Sequence, residues 1–138
     1  MKIVYFAAPV RINPSKATEL KKEFLHESTR LLMEHDIHVE SPHLKYLFTQ
    51  THPEYHTESD IDQYARDQGI HLIEEYPIDA VVALTDKEEA TDGMRKEAET
   101  AEERGIPVHY FPYFTTEGDV LDTSGVNISG LDEILQEI

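Results

Sequence analysis

The segment Ala80-Val81-Val82-Ala83-Leu84 carries no polar side chain and lies between Pro77 and a polar stretch from Thr85 to Glu89. An apolar run this short, with no alternation, reads as a strand covered on both faces. Such strands belong to parallel sheets flanked by helices. Ile3 to Ala8 repeats the pattern and stops at Pro9. Two fully covered strands far apart in one chain require amphipathic helices to cover them.

Those helices are present. From Ser15 to about His35, Leu20, Phe24, Leu31 and Leu32 recur among Lys, Glu and Arg at helical spacing, after a start marked by Asn13-Pro14-Ser15 and before a stop at Asp36. Ile37 to Glu40 reads as a second strand. Ser41 to His56, with Pro42, Pro53, His43, Tyr46, Phe48 and Tyr55, reads as a long loop. Thr57 to Tyr76 is expected as a helix with Ile61, Tyr64, Ala65, Leu72 and Ile73 inward, and with Gly69 as a point of breakage or bending. Thr91-Asp92 caps a further helix that runs to Arg104 and stops at Gly105, before a strand from Ile106 to Phe111. Asp122 to Ser129 offers a short last strand, and Leu131 to Ile138 a terminal helix with Leu131, Ile134 and Leu135 inward. The order β-α-β-α-β-α-β predicts one α/β domain over residues 1–138. Its expected form is a doubly wound, flavodoxin- or Rossmann-like parallel sheet of four to five strands with flanking helices.

Composition narrows the function classes. Asp and Glu total 28 against 12 Lys and Arg, a formal charge of −16. A field of that sign repels phosphate backbones, which argues against nucleic-acid binding. The chain has no Cys, so thiolate nucleophiles, thiolate metal sites and disulfides are all excluded, and a cytoplasmic setting is expected. The apolar run at the N-terminus is too short for a signal sequence or a membrane span. His52 and His56 are four apart, but Pro53 between them breaks the helix that a metal pair would need, so no metal and no cofactor is expected. Lys21-Lys22 and Arg95-Lys96 read as solvated faces ahead of phosphate clamps, and His71 as a residue of helix packing ahead of a general acid or base.

In an open parallel sheet, ligands bind beyond the carboxyl ends of the strands where the strand order reverses. That singles out the loops Ala7 to Asn13 and Thr85 to Gly93. In the second, Gly93 allows close backbone approach, while Thr91 and Asp92 stand at a helix start. Glu97 is the odd residue. It lies three after Met94 and four before Ala101, on the inward stripe of its helix. A sheltered carboxylate near a helix N-terminus can act as a nucleophile or stabilise a cation; a rim residue paired with Arg11 or Arg95 is the other reading.

Tyr5-Phe6-Ala7-Ala8-Pro9-Val10-Arg11, Asp79 to Leu84, and Thr91-x-Gly93-x-x-x-Glu97 followed by Gly105-Ile106-Pro107-Val108 resemble the nucleoside 2-deoxyribosyltransferase-like superfamily, which includes deoxynucleoside 5'-monophosphate N-glycosidases. The resemblance covers roughly residues 1–111. It implies that Glu97 attacks the anomeric carbon of the sugar and releases the base. It implies further that Thr91, Asp92 and Gly93 hold a sugar or 5'-phosphate oxygen, and that Tyr5, Ala8 and Arg11 line the base and sugar pocket. Family members often carry Gly where this chain has Ala8. The family's second carboxyl, counted back from Asp79, falls on His71; Asp67, one helical turn earlier on the same face, is the candidate to supply it. The implied partner is a small nucleoside or nucleotide, with a homodimer or larger homo-oligomer completing the site and no membrane involved. Tyr110 to Phe114 is aromatic enough for a subunit contact, a base-stacking wall or core packing. A non-catalytic module on the same sheet, binding a nucleotide or nucleotide-derived signal through Glu97, is the alternative from a different class.

Overall fold

The computed structural model describes residues 1–9, 14–45, 58–115, 117–120 and 131–138. Four strands, β1 (Lys2–Ala7), β2 (Ile37–Glu40), β3 (Ala80–Ala83) and β4 (Val108–Tyr110), form one parallel sheet in the order β2-β1-β3-β4. Among the described residues the helices are α1 (Ala17–His35), α2 (Pro42–Lys45), α3 (Glu58–Glu75), α4 (Asp92–Glu103) and α5 (Asp132–Leu135). Strand order reverses between β1 and β3, because the chain leaves β1 toward β2 and then crosses back to pair β3 on the other side of β1. The doubly wound α/β reading therefore holds.

Alternation along the strands explains why they look uniformly apolar. Val4, Phe6, Val82 and Leu84 feed one core with Leu20, Phe24 and Leu31 of α1 and Leu135 of α5. Tyr5, Ala7, Val81 and Ala83 feed a second core with Ile73 of α3 and Met94 and Ala101 of α4. Both faces are apolar since both are covered, and each large side chain so buried contributes about 1.5–3 kcal/mol.

The buried stripe of α1 is Ala17, Leu20, Phe24, Glu27 and Leu31, a regular i, i+3, i+7 progression. Leu32 is one residue, about 100° of rotation, off that line. It is 43 % exposed, which corrects its expected inward position. Glu27 takes an inner place because Arg30 Nε donates to it at 2.9 Å, and the same guanidinium grips Asp132 of α5 at 2.6 Å. On α3, Ala65 and Ile73 are buried, but Tyr64 is 52 % exposed rather than inward. The helix runs through Gly69 without a break.

Helix ends follow their expected chemistry. Asp36 ends α1 in the left-handed region at φ 55°, its N–H bonding Leu31 O. Gly105 ends α4 at φ 73°, and the paired bonds Gly105 N–H to Glu102 O (3.0 Å) and Ile106 N–H to Ala101 O (2.9 Å) complete a Schellman turn. Tyr113 and Phe114 are core residues, their rings edge-on at 4.8 Å between centroids, so this part of the aromatic run packs the domain. The long loop after β2 begins instead with a helical turn, α2; its continuation, the expected strand from Asp122 to Ser129, and His52 and His56 lie outside the described residues. No described helix is long and apolar enough to cross a membrane.

Candidate functional site

Thr91 sits at the N-cap of α4 in extended backbone, and its hydroxyl accepts from Met94 N–H at 3.3 Å. That cap sets the phase of the helix. Met94, Glu97, Ala98 and Ala101 then face inward, so a carboxylate enters the core beneath α3. Glu97 is 2 % exposed, which rules out the rim position.

Two groups meet it there. Tyr5, in the middle of β1 and completely buried, directs its hydroxyl toward the same point from the sheet. Gly69 of α3 closes the third side: a Cβ on it would collide with Tyr5 Oη and stand 3.0 Å from Glu97 Oε2. Only glycine allows the helix backbone to come this near. Tyr5 Oη and Glu97 Oε2 are both enclosed, and neither has a hydrogen-bond partner of normal geometry among the described residues. Their coupling is one of proximity and charge rather than a well-formed bond.

Burial dominates the electrostatics. It pushes the Glu97 carboxyl up to about 8, with the Tyr5 hydroxyl pulling weakly the other way. Glu97 is therefore protonated at pH 7 in this structure, a correction to the ionised carboxylate expected from its place near a helix N-terminus. It lies in the second turn, where the dipole has faded. The Tyr5 phenol is held well above its usual value by burial first, then by the charge of Glu97 and of Glu40, its register partner on β2.

A cleft of about 460 Å³ opens between α3 and α4, and Glu97, Gly93, Asp92, Asp67 and His71 all line it. The cleft thus brings together four residues expected at the site and His71. Their depths differ. Asp67 is exposed and accepts from Gln63 Nε2 at 2.9 Å, one turn away on its own helix. His71 is exposed, with its ring edge-on to Tyr76 at 6.0 Å. Asp92 is fully exposed, 3.9 Å from Arg95. Ala8 does not join them, since its side chain belongs to the α1 core on the opposite face of the sheet. Arg11 lies outside the described residues.

Sequence reasoning missed two residues. Gly69 was readable: a glycine inside a helix costs about 1 kcal/mol, which implies a backbone that must approach something. His43 was not. In α2, just past the end of β2, it is buried with both ring nitrogens unpartnered among the described residues, and burial, aided by the Arg66 charge, pushes it down to about 4. Among the described residues, no three His, Asp or Glu side chains converge as a metal centre would require. Against known proteins, the chain matches no family model, no curated protein and no solved structure.

Proposed function

We propose that this chain cleaves the bond between base and sugar in a small nucleoside or nucleotide, with Glu97 meeting the anomeric carbon and no cofactor. One observation carries the reading: a fully buried carboxyl whose Oε2 has no hydrogen-bond partner among the described residues, set between a buried tyrosine and a glycine, at the edge of a cleft between α3 and α4. An N-glycosidic bond breaks through an oxocarbenium-like state, and a carboxylate on the far face of the sugar stabilises or captures that cation. A protonated Glu97 becomes that carboxylate once positive charge develops beside it, because an opposite charge at close range favours ionisation. A homo-oligomer that completes the cleft and transfer to a second base, in place of water, belong to the same proposal.

A second reading is favoured by the absence of a side chain at Gly69. With no carboxyl there, Glu97 serves as a protonated hydrogen-bond donor to a sugar hydroxyl, and the domain binds a nucleotide without cleaving it.

Incubation of the wild type and Glu97→Ala with nucleosides and 5'-monophosphates separates the two, with free base measured by chromatography and thermal shift recorded on the same samples. Base release that disappears in Glu97→Ala supports the glycosidase. Ligand-dependent stabilisation with no base released supports the binding domain. Neither effect with any ligand rejects both.

A further inference from the structure

Helix α1 has a second face. About 130° round from its buried stripe, Leu25, Thr29 and Leu32 form a line within about 60° of arc, flanked by Met33. Leu25 is 53 % exposed and Met33 80 %, with Leu32 open to solvent beside them. The Thr29 hydroxyl donates to Leu25 O at 2.8 Å, so its polar atom is spent on its own helix. Single apolar side chains on a surface are ordinary, but a run of them along successive turns of one face makes a contiguous patch.

Charge narrows what can cover that patch. Residues 16–35 hold four Lys and Arg and four Glu, so this helix is neutral and the formal −16 of the chain is carried elsewhere. Two molecules of that charge repel one another, and they approach at least cost with their α1 faces together. The face is also complementary to itself. Leu25 lies three residues before Ser28 and Leu32 three after Thr29, while Lys21 and Asp36 lie seven before and seven after. In two antiparallel copies related by a twofold axis beside Ser28 and Thr29, Leu25 meets the partner's Leu32, and Lys21 and Lys22 come beside the partner's Asp36. Asp36 is exposed although it meets the Met1 amine at 3.3 Å.

We propose that α1 is the contact between two copies of this chain, packed antiparallel about that axis. The inference does not rest on the glycosidase reading. The surface also differs from one that would complete the cleft, because α1 packs on the face of the sheet opposite to α3 and α4. Both clefts of such a pair point outward. Contact through one helix is at the small end of interface sizes, so a dissociation constant of about 10–100 µM is expected.

Sedimentation velocity of the full chain from about 5 to 500 µM is expected to show a monomer passing to a dimer. Association tightens as NaCl is raised from about 0.05 to 0.5 M, since salt screens the repulsion between the two acidic bodies. Leu25→Glu with Leu32→Glu is expected to weaken it at least about a hundredfold, because like charges then face one another across the axis. The chain has no Cys, so one introduced thiol reports one position. With a short bismaleimide, Thr29→Cys is expected to link into dimers and Lys96→Cys, beside the cleft, is not. A monomer at every concentration overturns the proposal, as does association that weakens with salt. Dimers linked through Lys96→Cys and not through Thr29→Cys also overturn it, and they leave a cleft-completing assembly standing. The thiol comparison keeps both leucines, so it decides even where the double variant folds poorly.

Discussion

Replacing Glu97 by Gln keeps the shape of the side chain and removes its titration, and the consequence for stability depends on pH. Below about pH 4.5 the carboxyl is protonated in the folded and the unfolded chain alike, so wild type and variant run parallel. Between 4.5 and 8 the unfolded chain releases a proton that the folded chain keeps, and wild-type stability falls as pH rises. Above 8 both states are ionised and the loss is complete. Raising a carboxyl from its ordinary 4.5 to about 8 corresponds to about 4–5 kcal/mol, at about 1.36 kcal/mol per pH unit. That is a large share of the roughly 5–15 kcal/mol that holds a domain together. Urea unfolding of the two proteins from pH 4 to 9 tests it. The stability of Glu97→Gln relative to wild type is expected to grow steadily above pH 4.5 and level off near pH 8. Parallel curves over the whole range would refute the reasoning, since they would show Glu97 titrating as an exposed carboxyl does.

Gly69→Ala gains about 1 kcal/mol of helix propensity, but the new methyl meets Tyr5 Oη and Glu97 Oε2. A net loss of about 1–3 kcal/mol is expected by urea unfolding, and a gain would mean that α3 does not lie against the pair. His43 behaves in the opposite sense to Glu97. Its imidazole is held down to about 4, so stability is lost as pH falls from 6.5, where the unfolded chain takes up the proton that the folded chain resists. In a Glu97→Gln background the fall between pH 6.5 and 4 is expected to reach about 3 kcal/mol and to vanish when His43→Gln is added; a slope that survives the second substitution removes His43 as its source.

Most of the fold was legible because its signals are local. Ala80 to Leu84 and Ile3 to Ala8 have one physical use, and Thr91 and Gly105 bracket α4 by capping chemistry alone. The inward place of Glu97 followed from its spacing to Met94 and Ala101. What was not legible depends on helix phase without a cap to fix it. On α3, Tyr64, Ala65, Leu72 and Ile73 permit two inward faces about 100° apart, and only contact with β1 and α4 selects the one with Ala65, Gly69 and Ile73. Counting back from Asp79 therefore reached His71, when the backbone nearest Glu97 belongs to Gly69. Protonation of Glu97 was hidden for a similar reason. A residue's distance from a helix N-terminus is written in the sequence, but the depth of protein around it is not.

The alternation along β1 gives its neighbouring residues different duties. Val4 and Phe6 support the α1 core and Tyr5, between them, reaches Glu97. In a saturation library selected in parallel for abundance and for turnover, the two scores should diverge along this strand with a period of two. Substitutions at Val4 and Phe6 would lower both together, through loss of folded protein. Tyr5→Phe, which fills the same space without the hydroxyl, would keep abundance and, under the proposed reading, change turnover only through its effect on Glu97.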